Sequence, residues 1–192
     1  DRIYVIDCGL GVTRGFVEAG YHLARLSTIF ITHHHSDHNL EFGNLVHTAW
    51  TAGLATPVEI WGPSGMSRMT QAFLDLNRFD IETRIADEGR PDLARLVTTH
   101  DYGEGLVSDD GVVRVTALRN HHPPIVDSFA LRFEFRDEGG VARAVVFSGD
   151  TTYLPALAGF ARGADVLLHE AMYGPGVDAL VARVKNGSRL KE

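Results

Sequence analysis

Short apolar runs and amphipathic stretches alternate along the first half of the chain. Residues 26–31 form an apolar, β-branched run bounded by polar residues, which is typical of a buried strand. Apolar residues then recur at positions 42, 45, 46, 49 and 50, the period of a helix that buries one face. This spacing predicts a helix over residues 39–54. The first half is therefore expected to alternate strands with helices.

Periodicity and turn residues assign the rest of the chain in the same way. Strands are predicted at residues 3–6, 58–61, 93–99, 112–118, 128–136, 141–147 and 164–168, the last of them buried. Helices are predicted at residues 13–19, 66–76 and 154–161, and residues 78–91 are expected to mix strand with loop. The turn at residues 137–140 joins two of the strands as a hairpin. We therefore expect an α+β fold in which helices sandwich mixed β-sheets.

The composition is that of a globular protein and excludes several classes. The 192 residues are enough for a single domain with a sizeable core, and 44% of them are hydrophobic. No apolar run is long enough to cross a membrane, so no membrane partner is expected. Cys8 is the only cysteine, which excludes a disulfide framework and a thiolate zinc cage and slightly favours the cytoplasm. The net charge of −7 disfavours non-specific binding to nucleic acid, because phosphate contacts need basic patches.

A cluster of histidine and aspartate follows directly on the strand predicted at residues 26–31. Side chains alternate along an extended chain, so His33 and His35 point the same way and can reach one ion. Asp37 and His38 come after the turn and can reach a second ion. Imidazole and carboxylate without thiolate suit zinc, or iron or manganese. The alternative is a surface histidine-rich tract or the remnant of a tag, but tags lack the interleaved aspartate and do not follow a strand.

Two further strand ends offer the additional ligands that a dinuclear site needs. Residues 120–124 (Asn-His-His-Pro-Pro) follow one predicted strand, and residues 148–151 (Ser-Gly-Asp-Thr) follow another. Glycine before Asp150 permits a tight turn, and a carboxylate there can bridge two cations about 3.5–4 Å apart. Taken alone, these residues read equally well as a surface histidine pair and a helix-capping aspartate.

A third strand end carries His169 and Glu170, where the histidine is a candidate ligand or proton donor. Asp7, after the first strand, is a candidate for orienting a metal-binding histidine, although a turn aspartate is an equal alternative. His34, His47 and His100 are assigned structural or pocket-lining roles.

These motifs together resemble the metallo-β-lactamase superfamily over nearly the whole chain. The resemblance is closest to the branch of ribonuclease Z and the arylsulfatase-like zinc hydrolases, which shares Gly-Pro-x-Gly after a strand, here residues 62–65. It implies an αβ/βα four-layer sandwich, formed by one domain over residues 1–192, with two Zn²⁺ ions at one edge and Mn²⁺ or iron as alternatives. The implied ligands are His33, His35 and His121 for one ion, Asp37 and His38 for the other, and Asp150 as the bridge. His121 is preferred to His122 because the family often shows His-x-Pro at this place.

The chain departs from the family pattern at both ends. The family supplies one more histidine beyond the His-Glu motif, and no histidine follows His169 here. It also places strands before the one at residues 3–6. We therefore expect a fragment that lacks its first strands and its C-terminal end, with residues 185–192 as a charged, helix-like segment. The alternative is that the second metal site is weak.

The resemblance implies a hydrolase in which a hydroxide held between two metal ions attacks an ester. Asp37 is expected to take the proton from the water, His169 to protonate the leaving group and Glu170 to orient His169. Only 28 residues separate His121 from Asp150, which leaves no room for the arm that grips tRNA. We therefore expect a small-molecule substrate, a phosphodiester or an aryl sulfate, and not tRNA. The alternatives are a ribonuclease Z-like RNA-processing endonuclease and a metal-binding module with little activity, and a homodimer is left open.

Overall fold

The first of two compact units carries a parallel β-sheet. The computed structural model describes residues 2–184, and the boundary between its two units falls between Val107 and Ser108. The strands of the first unit are β1 (Tyr4–Ile6), β2 (Thr28–Phe30), β3 (Val58–Pro63) and β4 (Val97–Tyr102). They lie in the order β1-β2-β3-β4, and every neighbouring pair is parallel. Parallel strands end at the same edge of a sheet, so the segments that follow β1 and β2 are neighbours.

Helices connect these strands and bury one face of the sheet. They are α1 (Val12–Glu18), α2 (Ser36–Asn39), α3 (Phe42–Thr51), α4 (Met66–Leu76), α5 (Arg78–Glu88) and α6 (Leu93–Leu96), with a short 3₁₀ helix at Leu23–Arg25. Ile29 and Ile60 of the sheet belong to the same buried cluster as Leu45, Ala49 and Trp50 of α3. The parallel strands thus alternate with helices, as the hydrophobic pattern predicts.

The second unit is built on a mixed sheet. Its strands are β5 (Gly105–Asp109), which contains the unit boundary, β6 (Val113–Arg119), β7 (Phe129–Arg136), β8 (Ala142–Phe147) and β9 (Val166–Leu168), in that order across the sheet. The pairs β6-β7 and β7-β8 are antiparallel, and β9 runs parallel to β8. Helix α7 (Pro155–Phe160) packs Leu157 against Ala130 and Val146, and α8 (Gly174–Val181) follows β9. The hairpin of β7 and β8 and the mixed α and β composition confirm the predicted fold class.

Residues 78–91 are the clearest error of the sequence prediction, because most of them form helix α5. Arg84 contacts Asp80 at 3.1 Å and Glu88 at 2.8 Å, both at i,i+4 spacing. Such pairs stabilise a helix whose apolar period is weak. The sequence feature that indicates a helix here is the i,i+4 spacing of its charged residues, which the period of the apolar residues does not reveal.

Three other predicted elements differ in extent. The helix predicted at residues 39–54 is divided into α2 and α3 at Glu41, whose N–H donates to the Cys8 carbonyl (2.9 Å). The strand predicted at residues 93–99 begins as α6, because the Asp92 side chain caps the Ala94 N–H (3.0 Å). The strand predicted as buried at residues 164–168 is shorter, and its Leu167 is 46% exposed, since β9 is an edge strand of the described sheet. The helix-like segment predicted at residues 185–192 lies outside the described residues.

Within residues 2–184, no helix combines the length and the apolar character that crossing a bilayer requires.

Gly9 allows the turn after β1 to touch the segment after β2. A Cβ atom at Gly9 would lie 1.9 Å from the Asp37 carbonyl oxygen, far inside contact distance. The adjoining Cys8 N–H donates to the His38 carbonyl (2.5 Å). Close packing at this position therefore requires glycine. The contact holds the backbone at Asp37 and His38 against the turn after β1.

We predict that Gly9→Ala lowers the free energy of unfolding by about 1–3 kcal/mol, the usual cost of overpacking. Gly15→Ala is the matched control, because Gly15 lies in α1 with open space around its Cβ position. In a helix interior this second change should stabilise by about 0.5–1 kcal/mol. Urea unfolding of both variants measures the difference, and equal effects would contradict the proposed packing role of Gly9.

Candidate functional site

One carboxylate connects the ends of β1 and β2. Asp7 follows β1 in a left-handed conformation (φ 58°), which is uncommon for a residue other than glycine. Its Oδ1 accepts the Thr32 N–H (2.7 Å), and its Oδ2 accepts the Thr32 hydroxyl (2.9 Å). The same Oδ2 lies 2.7 Å from Nδ1 of His38. The structure therefore places Asp7 where it orients a candidate metal-binding histidine.

These contacts determine the tautomers of two histidines. The Asp7 carboxylate only accepts hydrogen bonds, so His38 donates through Nδ1–H, and its neutral form carries no proton at Nε2. The Thr32 hydroxyl gives its one hydrogen to Asp7, so it accepts from Nδ1–H of His33 (3.0 Å). His33 thus also presents an unprotonated Nε2. Both rings thus have an unprotonated Nε2 that can coordinate a metal ion.

The first unit brings its donor atoms together in two pairs. Nε2 of His33, which is fully buried, lies 3.1 Å from Nδ1 of His35. Tetrahedral zinc at about 2.0–2.1 Å from each nitrogen requires nitrogens about 3.3 Å apart, so this pair matches one zinc ion. Oδ2 of Asp37 lies 3.7 Å from Nε2 of His38, and the Asp37 side chain is 75% exposed.

In the second unit, two loops are tied to each other by backbone and side-chain hydrogen bonds. The Asn120 amide donates to the Ser148 carbonyl (2.9 Å), and the Thr152 N–H donates to the His121 carbonyl (2.7 Å). The His121 N–H in turn donates to the Thr151 hydroxyl (3.2 Å). The backbone of His121 therefore belongs to the framework that supports Asp150.

His122, and not His121, has its ring beside Asp150. Nε2 of His122 lies 3.9 Å from Oδ2 of Asp150, whereas the His121 side chain is exposed. Gly149 makes the sharp turn into Asp150 with φ 58°, and a Cβ there would lie 2.7 Å from the Phe129 carbonyl oxygen. The sequence analysis preferred His121, so within this unit the geometry favours its alternative.

Glu170 supports the Asp150 loop. Its carboxylate accepts the Thr151 N–H, and its own N–H donates to the Ser148 hydroxyl (3.0 Å). Glu170 is expected from the sequence to orient His169, but the His169 ring donates from Nδ1 to the Glu170 backbone carbonyl (2.8 Å) and not to its carboxylate. His169 also borders a mostly apolar cavity of about 270 Å³, lined further by Thr151, Thr152, Tyr153, Leu154, Leu157, Ala158 and Leu167.

Two buried groups close to Asp7 stay protonated. Burial raises the pKa of the Cys8 thiol far above its ordinary value, and the negative charges of Asp7 and Glu41 add to the effect. Burial, followed by the charge of Asp7, raises the pKa of Tyr102, whose hydroxyl donates to the Ile31 carbonyl (2.7 Å). A neutral thiol is not a metal ligand, so the donors of the first unit are imidazole and carboxylate.

The role of Thr32 and the contacts of His34 do not follow from the sequence. The Thr32 hydroxyl hydrogen-bonds both the Asp7 carboxylate and the His33 ring, and so connects the two. In the sequence, the one sign of this role is its position directly before the histidine cluster. His34 is assigned a structural or pocket-lining role from the sequence, and hydrogen bonds at both nitrogens of its ring are consistent with a structural one.

Comparisons with known proteins agree on one family. The family model described as a β-lactamase superfamily domain matches residues 2–176. Ribonuclease Z of Mycobacterium marinum is 32% identical over 171 residues, which is 88% of this chain and 60% of the relative. Ribonuclease Z of Mycobacterium sp. strain KMS is 34% identical over 173 residues, which is 88% of this chain and 58% of the relative. The chain thus spans about 60% of the length of these relatives.

Solved structures show the same fold. The short form of human tRNase Z superposes with a TM-score of 0.71 at 22% identity, covering 93% of this chain and 70% of that chain. A metallo-β-lactamase fold protein of Bacillus subtilis superposes with a TM-score of 0.62 at 20% identity, covering 90% of this chain and 61% of that chain.

The expectation of a small-molecule ester substrate, with tRNA disfavoured, is wrong. The relatives that match 88% of this chain are named ribonuclease Z, although the chain has a net charge of −7 and a short connection before Asp150. A net charge sums over the whole chain and does not describe the field at one site. The short connection excludes an RNA-binding arm at one place only.

The family model covers most of the chain, and the relatives named ribonuclease Z match 88% of it at 32–34% identity. The chain therefore belongs to the metallo-β-lactamase superfamily of hydrolases, in its ribonuclease Z-like branch.

Proposed function

We propose that this chain carries the hydrolytic centre of a metal-dependent endonuclease that cleaves phosphodiester bonds in RNA, with tRNA precursors as the substrate class. The paired donor atoms of the first unit, 3.1 Å and 3.7 Å apart, carry the proposal together with the similarity to ribonuclease Z. Because the chain spans about 60% of those relatives, the proposal concerns the protein to which these residues belong.

The donor set fits divalent transition metals. Imidazole and carboxylate with a neutral thiol nearby suit Zn²⁺, with Mn²⁺ and iron as alternatives. The proposed ligands in the first unit are His33, His35, Asp37 and His38. Those in the second unit are His122 and Asp150, and His122 takes the place that the sequence assigned to His121. When bound, such ions acidify a water molecule and stabilise negative charge on phosphoryl oxygens.

The chain's own residues position these groups and move protons. The exposed Asp37 carboxylate is the proposed acceptor of the proton from the attacking water. His169 commits Nδ1–H to a backbone carbonyl, so its Nε2 is the atom proposed to carry a proton to the leaving oxygen. Glu170 supports the reaction indirectly, because it holds the turn that presents Asp150.

Cleavage assays on the full-length protein test this proposal. We expect zinc-loaded protein to cleave labelled tRNA precursors in preference to unstructured RNA of equal length and to p-nitrophenyl sulfate. Asp37→Ala should reduce the rate about 10²–10⁴-fold, the usual contribution of a positioned proton acceptor. His22→Ala, at an exposed histidine, is the control. Turnover of the sulfate but not of RNA would contradict the proposed substrate.

The neighbouring histidines of the second unit provide a matched pair. We predict that His122→Ala lowers zinc affinity and RNA cleavage strongly, because its Nε2 lies beside the Asp150 carboxylate. His121→Ala should leave both close to wild type, since the loop uses only the backbone of His121. Zinc titration with a competing chelator measures the affinities. The reverse order of effects would show that His121 is the ligand.

Asp7→Asn tests the tautomer argument. An amide N–H facing Nδ1 of His38 would favour the tautomer that is protonated at Nε2, so we expect zinc affinity to fall about 10–100-fold. Asn tolerates the left-handed conformation of Asp7, which limits the effect on folding. Asp92→Asn is the control, because aspartate and asparagine cap helices about equally well. Unchanged zinc affinity in Asp7→Asn would contradict the orienting role.

A further inference from the structure

His34 connects the metal-binding segment to a second loop of the first unit. It lies between His33 and His35, and its Nε2 is 3.3 Å from the Pro63 carbonyl oxygen and 3.2 Å from the Ser64 carbonyl oxygen. These carbonyls belong to the Gly-Pro-Ser-Gly turn that joins β3 to α4. The contact therefore ties the loop after β2 to the loop after β3.

The hydrogen bonds of the His34 ring have one consistent assignment. Carbonyl oxygens only accept, so Nε2 carries the proton and shares it between the two carbonyls. Nδ1 must then accept, and the Asn39 amide nitrogen lies 3.1 Å from it. Asn39 is 4% exposed, and its amide also points at the Met69 sulfur at 3.8 Å. Both ring nitrogens are engaged, so the ring is held in one orientation.

The turn that His34 contacts is itself held firmly. The Asp101 carboxylate accepts the Gly65 N–H (2.8 Å) and both the N–H and the hydroxyl of Ser67 (2.9 Å each). Burial alone would raise the pKa of Asp101, but the backbone hydrogen bonds from Gly65 and Ser67 outweigh it and lower that pKa. The ionised carboxylate thus anchors the turn to β4. The His34 ring is therefore hydrogen-bonded to a turn that is itself held in place by Asp101.

We propose that His34 is a positioning residue that sets the separation of the His33 and His35 rings. The chain bends at residues 32–34, so a ring held in place at the middle residue restrains the backbone from which both outer rings project. The 3.1 Å separation of Nε2 in His33 and Nδ1 in His35 depends on that backbone. This inference rests on the proposed metal centre, but it concerns metal binding and not the substrate.

Two substitutions that each replace one ring nitrogen test the proposal. The amide nitrogen of His34→Gln reaches the place of Nε2 and can still donate to the turn, whereas His34→Asn reaches only the place of Nδ1. We expect cobalt affinity close to wild type for His34→Gln and about 10–100-fold weaker for His34→Asn. Titration of the full-length protein with Co²⁺ alone, followed by visible absorption against a competing chelator, gives the affinities and the spectrum of the bound ion.

Each outcome decides the question. Equal cobalt affinity and equal spectra in both variants would overturn the positioning role while leaving the metal centre intact. Failure of the wild type to bind cobalt would instead overturn the proposed metal centre, and the inference with it. If circular dichroism shows that His34→Asn does not fold, His34→Met replaces it, since methionine has a similar volume and cannot donate to the Pro63 and Ser64 carbonyls. Weaker cobalt binding by His34→Met would support the proposal, and unchanged binding would overturn it.

Discussion

The Asp7 carboxylate is the interaction on which the first unit's site depends. It is partly buried, with 21% of its side chain exposed, and it accepts hydrogen bonds from Thr32 and His38. Hydrogen bonds to a charged group contribute about 1.5–3 kcal/mol each, which exceeds the cost of about 1–2 kcal/mol for a left-handed residue. The strained backbone at Asp7 therefore persists, and it aims the carboxylate across the gap between two parallel strands.

In both units, hydrogen bonds within the protein hold the candidate ligands in place. In the first unit, Asp7 and Thr32 orient histidine rings. In the second, Asn120 and Glu170 hold the turn before and after Asp150. Donors that are already oriented lose little conformational freedom when an ion binds, so more of the binding free energy appears as affinity. Positioning residues are accordingly expected to matter for affinity nearly as much as the ligands do.

The sequence predicts regular elements and motif chemistry well, and local geometry poorly. Strand β2, helix α4 and the hairpin of β7 and β8 follow from apolar periodicity and turn residues, which are local properties. Helix α5 was missed because its stabilising signal is the charge spacing around Arg84. The preference for His121 over His122 rested on a family pattern, because two adjacent residues in an irregular loop have no periodicity to separate them. The 3.9 Å distance from Nε2 of His122 to Oδ2 of Asp150 shows which ring faces the carboxylate.

The error about the substrate has an electrostatic origin. A net charge of −7 does not say where the charges lie, and some acidic residues lie beside a basic one, as where Arg143 contacts both Asp137 (2.9 Å) and Asp165 (3.0 Å). Such acids contribute little to the field at a distance, especially in physiological salt. The donors of the first unit have a separate local balance, because each divalent ion bound there would bring two positive charges beside the carboxylates of Asp7 and Asp37. An ion bound there would offset the carboxylates beside it, so the sign of the chain as a whole does not predict the field that a substrate meets at the site.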